Sequence, residues 1–273
     1  MHVSLVGSEM CIRDRTRSIT LSFFTTYSKK LENLIAAVIF FITFAVYFST
    51  MAPTVSFWDT GEFIATSHIL GVPHPPGSPL FLLVGKFFSL IPLSSDIAFR
   101  INIFSPIISA LTISLLFLIC NQFIYRVDPN NDNRLFKMLS SLTASLTFAF
   151  THSHWFNAVE TEVYAFSGFM TALVVYLIML WSKKIDNSNH VIYLMLISYI
   201  IGLATGLHLL NLLTIPFIGL IIYYTIGKLS AKNLFITLSL SMIIFFGIQS
   251  LIIQGLPQIC LLYTSDAADE HRR

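Results

Sequence analysis

The chain has 273 residues, of which 55% are hydrophobic and only 11% charged, at a mean hydropathy of +0.76. That composition excludes an ordinary soluble domain and predicts an all-α, polytopic integral membrane protein. The formal net charge is +2, and its basic residues are scattered between apolar runs instead of gathered on one face, which excludes a nucleic-acid-binding role.

Both ends of the chain read as translated sequencing adapter. Cys260 to Ser265 can be encoded by TGT CTC TTA TAC ACA TCT, and the complementary strand contains ATG TGT ATA AGA GAC A, which encodes Met10 to Asp14. One short DNA sequence, resembling the end of a transposase-based adapter, thus accounts for both termini. Residues 1–15 and 260–273 are set aside on that ground. Residues 16–32 are expected to be a cytoplasmic N-terminal segment, and 33–259 an incomplete transmembrane domain from a longer protein. Cys11 and Cys260 fall in the suspect ends, so Cys120 stands alone, and neither a disulfide nor a cysteine-based metal cluster is expected.

Apolar runs long enough to cross a bilayer as helices are predicted at 33–51, 101–124, 136–150, 163–181, 191–207, 209–227 and 234–254. The third is the shortest and most polar. A further run, 79–92, is broken by Gly85 and Lys86 and lies between prolines, so an interfacial or re-entrant helix is expected there. With that helix not crossing, Arg17, Lys29, Lys30, Arg126, Arg134, Lys137, Lys183, Lys184, Lys228 and Lys232 all fall on one side. The positive-inside rule makes that side cytoplasmic. The loop 52–100, the acidic segment His152 to Glu162, and the turn around His208 and Asn211 then face outward together.

The first of these outer segments carries the strongest sign of chemistry. Asp59 and Glu62, in FWDTGEF (57–63), follow the first span directly, and a carboxylate pair beside lipid is expected to be paired, solvated or used. Glu62 has two readings, a functional carboxylate or a cap on a helix beginning near Thr60. His74 precedes two prolines that hold the backbone. Lys86 and Arg100 are further cationic candidates, although either side chain could instead extend to lipid headgroups. Glu160, Glu162 and Tyr164 form a second group, for which helix-dipole complementation is the alternative role. His208 and Asn211 could satisfy only each other or carbonyls of a tight turn. His152 and His154 lack a committed third ligand, so no metal is expected.

Four stretches carry a resemblance to a known family: FWDTGEF, ATSHILGVPHPPGSPLF (65–81), HSHWFNAVETEVYA (152–165) and GLATGLHLLNLL (202–213). They resemble the bacterial domain of unknown function 2723 family, itself related to the vertebrate transmembrane protein O-mannosyltransferase. The resemblance implies a GT-C-like enzyme of the bacterial inner membrane, taking a sugar from a polyprenyl-phosphate donor on the extracytoplasmic side. It implies Asp59 as catalytic base with Glu62 beside it, and an exported protein or glycan as acceptor. The reaction also needs a cation where the phosphate departs, for which His74, Arg100 and His208 are the candidates, while Glu162 and Tyr164 are candidates for substrate binding. Membrane lipids are expected partners, and no cofactor is expected, the lipid-linked sugar being a substrate. A secondary transporter and a non-catalytic membrane scaffold are the competing classes. The first should carry ionisable residues at the bilayer midplane and internal repeats, and the second leaves the outward cluster of Asp, Glu, His and Pro without a purpose.

Overall fold

The computed structural model describes residues 29–75, 77–129, 133–255 and 258–259. The expected adapter-derived ends, and most of the segment 16–32, lie outside the described residues. The described chain is helical, without a strand among its described residues. In order it forms α1 (Lys29–Thr50), α2 (Thr60–Ile69), α3 (Pro79–Leu90), α4 (Ile97–Asn102), α5 (Phe104–Val127), α6 (Arg134–Ala149), α7 (His152–Ala158), α8 (Val163–Lys183) and α9 (Val191–Thr205). A 3₁₀ turn, Leu209–Leu213, leads into α10 (Thr214–Ile226), and α11 (Ala231–Gly247) runs on into a π-helical stretch, Ile248–Gly255.

Helices stand at all seven predicted spans. Five stretches are long and apolar enough to cross a membrane: Lys29–Thr50, Ile97–Val127, Val163–Lys183, Leu209–Ile226 and Ala231–Gly255. The 16 residues of α6 and 15 of α9 give only about 24 and 23 Å of helix, short of the roughly 30 Å hydrocarbon core. The weakness of the 136–150 signal has a packing explanation. Lys137, Ser141, Ser145 and Ala149 recur every four residues and are buried, and the last three are small enough to bring α6 close to α5. The run 79–92 forms the 12-residue α3, too short to cross, and it packs on α2. Gly85 is required at that contact, because a Cβ there would lie 2.4 Å from the Ser67 hydroxyl oxygen.

Two apolar clusters share α5. One joins Ala36, Ile39 and Tyr47 of α1 to Ala110, Ile113 and Phe117 of α5, closed by Ala149 and Ala158. The other draws together α2, α3, α5, α8 and α9. Within it, edge-to-face rings run from Phe63 to Phe81 (5.4 Å), Phe104 (6.3 Å) and Phe166 (5.0 Å), tying four helices in sequence. This row of rings is the foundation on which the polar end of the molecule stands.

Candidate functional site

Segments far apart in the chain meet where α1 ends and α8 begins. The Ala52 N–H donates to the Val159 carbonyl (2.8 Å), the Leu80 N–H to Gly206 (3.1 Å), and the Ser78 hydroxyl to Leu207 (2.9 Å). Asn102 lies at the centre, fully buried: its amide donates to the carbonyls of Ala52 (2.9 Å) and Thr54 (3.0 Å), while its oxygen accepts from the Thr161 hydroxyl. Thus one side chain at the end of α4 fixes both the loop after α1 and the acidic segment before α8. The outer clusters expected from topology therefore do converge on one end of the bundle.

Asp59 opens α2 as its N-cap residue but makes no side-chain cap bond, and it is exposed. The preceding Trp58 takes φ 59°, a left-handed conformation unusual for a bulky residue, and this turns the chain into α2 immediately before Asp59. Of the two readings of Glu62, the cap is absent. Its carboxylate accepts instead from His74, taking the backbone N–H on Oε1 (2.6 Å) and pairing Oε2 with the ring Nδ1 (2.8 Å). The His74 ring meets Phe63 edge-on at 5.6 Å, so the imidazole is held both by a carboxylate and by the first ring of the aromatic row. Beyond it the chain turns sharply, with the Gly77 N–H on the His74 carbonyl (3.0 Å) and positive φ at Gly77 (91°) and Ser78 (38°).

The electrostatics follow from this pairing. The hydrogen bond to Glu62 raises the His74 pKa above its ordinary value, helped by the charges of Glu62, Asp59 and Glu162, while the same bond lowers that of Glu62. Glu162, the N-cap residue of α8, behaves oppositely. Burial pushes its pKa up to about 7, and the neighbouring charges of Asp59 and Glu160 add to the rise. Near neutral pH Glu162 is therefore partly protonated and able to donate a hydrogen bond. Glu160 is also buried and raised, with one oxygen accepting from Ser56 (2.5 Å).

Other predicted residues have different surroundings. The Arg100 guanidinium donates to the carbonyls of Ser94 (2.5 Å) and Ser89 (3.1 Å), and the Lys86 ammonium to that of His68 (2.5 Å), so both brace the α2–α4 region. Tyr164 lies with its ring 5.2 Å from that of His208, whose Nδ1 accepts from the Leu210 N–H (3.2 Å). Asn211 bonds to Ser167 (3.0 Å), Thr171 (2.9 Å) and the His208 carbonyl (3.0 Å), which ties the turn to α8. His152 stacks on Phe156, and burial lowers the His154 pKa to about 4, keeping that ring neutral. Among the described residues, the group spaced to share a metal ion is Asp59, Glu62 and His74, with ligand atoms within 4.8 Å of one another. Glu62 already uses both oxygens on His74.

Sequence reasoning missed Asn102 and Ser56. The signal for Asn102 was present, since an amide in the apolar run Ile97–Ile108 must find partners once buried. Ser56 carried no such signal, because a serine in a polar loop is ordinary.

Fold and site together define a polytopic helical membrane protein with a carboxylate and imidazole centre at one end of its bundle. The chain belongs to the family described as the protein O-mannosyl-transferase TMEM260 N-terminal domain, whose model matches residues 59–233, a stretch holding every predicted site residue. Among curated proteins it is 29% identical over 203 residues to "Protein O-mannosyl-transferase tmem260" of Dictyostelium discoideum, covering 69% of this chain and 23% of that protein. It is 31% identical over 136 residues to "Protein O-mannosyl-transferase TMEM260" of Mus musculus, covering 48% of this chain and 18% of that one. The chain thus spans less than a quarter of the length of either relative. No solved structure matches it.

Proposed function

We propose that this chain carries the catalytic end of a GT-C-like membrane glycosyltransferase. It moves a sugar, mannose by analogy with the relatives' names, from a polyprenyl-phosphate donor to a hydroxyl of an exported protein or glycan outside the bacterial inner membrane. The observation that carries this reading is the placement of Asp59 beside a His74 held by Glu62. Transfer requires an acceptor hydroxyl to lose its proton as its oxygen bonds to the anomeric carbon, while the bond from that carbon to the phosphate oxygen breaks. Asp59, without a capping bond, accepts the proton. His74, whose pKa the bond to Glu62 raises, stabilises in its protonated form the charge gathering on the phosphate. Glu162, partly protonated, donates to a sugar hydroxyl, with Tyr164 against His208 forming the neighbouring wall. Arg100 and Lys86 act as braces, and His208 supports Tyr164 and its own turn rather than meeting the phosphate. This division of work calls for no metal ion.

The test is transfer of labelled mannose from polyprenyl-phosphate mannose in membranes containing the full-length protein. Labelled acceptor above the level of control membranes is expected. Absence of label with every polyprenyl donor, alongside sodium- or proton-driven uptake into vesicles, would favour a transporter.

The Glu62–His74 pair gives a pH prediction with a definite sign. Because Glu62 raises the His74 pKa, the cation persists above the ordinary histidine range and is lost as pH rises through the raised value. Wild-type kcat/KM therefore falls on the alkaline side. In Glu62→Gln the charged partner is gone, the His74 pKa drops, and the alkaline limb moves to lower pH. Glu162 also loses its proton near pH 7, so the profiles are compared in a Glu162→Gln background, where coincident limbs with and without Glu62→Gln would remove His74 from the phosphate role.

A further inference from the structure

We propose that the opposite end of the bundle binds the headgroup of an anionic glycerophospholipid bearing free hydroxyls, as phosphatidylglycerol does. A pocket of about 330 Å³ opens there where α1 and α6 begin and α5 and α8 end, lined by Lys29, Glu32, Asn121, Gln122, Arg134 and Lys183, with Tyr125 on its wall. Three cations against one carboxylate leave it positive. Two nearby basic groups are committed elsewhere: Arg126 donates to the Ser182 hydroxyl (2.7 Å), and Lys137 to the Asp128 carbonyl (2.6 Å) while covering the Tyr125 ring.

The buried amides identify the second half of the ligand. Asn121 is 2% exposed, yet its Oδ1 has no hydrogen-bond donor, and the buried Oε1 of Gln122 has none either. Two open acceptors beneath a cationic rim match a ligand that brings hydroxyl donors and an anionic phosphate together. Buried amide oxygens left open are destabilising, so both gain from a donor. The membrane boundary is where lipid phosphates lie, and basic pockets between helices on the positively charged side suit such headgroups. In the assigned pose Lys29, Arg134 and Lys183 face the phosphodiester, and the glycerol hydroxyls donate to Asn121 and Gln122. This site is separate from Asp59 and does not depend on the reaction assigned there.

Native mass spectrometry of the full-length protein, delipidated in detergent and titrated with defined lipids, tests the assignment. Phosphatidylglycerol is expected to bind at least tenfold more tightly than phosphatidylcholine, and less tightly as salt rises. The double variant R134Q/K183Q should weaken phosphatidylglycerol binding by about 30-fold, from roughly one lipid-facing charge each. N121L should narrow the preference for phosphatidylglycerol over phosphatidic acid, which lacks the headgroup hydroxyls. Thermal midpoints matching the wild type establish that the variants are folded, and K29Q supplies a smaller loss in the same direction should either variant misfold. Equal phosphatidylglycerol binding by wild type, R134Q/K183Q and K29Q would overturn the site. Displacement of the lipid by millimolar inorganic phosphate would overturn the lipid assignment in favour of a free anion.

Discussion

Asp59→Asn should reduce sugar transfer by a factor of about 10² to 10⁴, the usual span for loss of a general base. The substitution keeps the shape of the side chain and removes only its capacity to take a proton. Because Asp59 makes no side-chain cap bond to α2, the fold does not depend on its charge, and the thermal midpoint should stay at the wild-type value. That combination separates a catalytic role from a structural one, since a capping aspartate would lose stability along with activity. Asp59→Glu, which moves the carboxylate outward by one methylene, should retain part of the rate. The measurement is transfer per folded molecule at equal, verified expression, and equal rates for wild type and Asp59→Asn would end the case for Asp59 as base.

Asn102→Leu should produce the largest loss of stability among changes at the polar end. Leucine is close in volume but leaves the Ala52 and Thr54 carbonyls and the Thr161 hydroxyl without their shared partner. An unsatisfied buried polar group costs about 1–3 kcal/mol, so the variant should lose roughly 2–5 kcal/mol. For a chain of this length that corresponds to a midpoint lower by roughly 5–15 °C. Heating the purified proteins in detergent and following the monodisperse fraction measures the effect. An unchanged midpoint in Asn102→Leu would show that the three connections do not hold the loop and the acidic segment together.

Most of the bundle could be read along the chain because membrane spans are written as continuous apolar runs, and those at 33–51, 101–124, 163–181, 209–227 and 234–254 carry that signature at full length. The run at 136–150 was harder, since α6 owes its place to serines that allow close approach, and small polar side chains lower hydropathy while improving packing. The meeting of the polar segments at one end of the bundle also followed from charge placement, and the bonds 52–159, 52–102, 102–161, 78–207 and 80–206 show it. Roles within the site were less legible. That Glu62 serves His74 rather than the helix end depends on how the chain returns after α2, through Leu70 in the left-handed region and the turn at 74–77. Twelve residues of separation carry no periodic trace of such a pairing. Arg100 and Arg134 likewise look alike as isolated arginines near helix ends. Their surroundings distinguish them, one satisfied by the carbonyls of Ser89 and Ser94, the other lining a pocket.

The two apolar clusters that share α5 are completed at different points along the chain. The cluster against α1 has all its buried members once Ala158 has left the ribosome, whereas the other lacks its last buried members until Ala204 and Leu207 arrive. Between those moments α8 emerges and covers the second side of α5, as the Phe104–Phe166 contact shows, but the surface under α2 and α3 still lacks its α9 members. The Glu62–His74 pair is local enough to form early, but its support is not. Ser78 and Leu80 are anchored by carbonyls of Leu207 and Gly206, so the loop carrying His74 is clasped only when the ninth helix has passed. The polar end is thus fastened by residues that lie beyond α9, more than a hundred positions after those they hold.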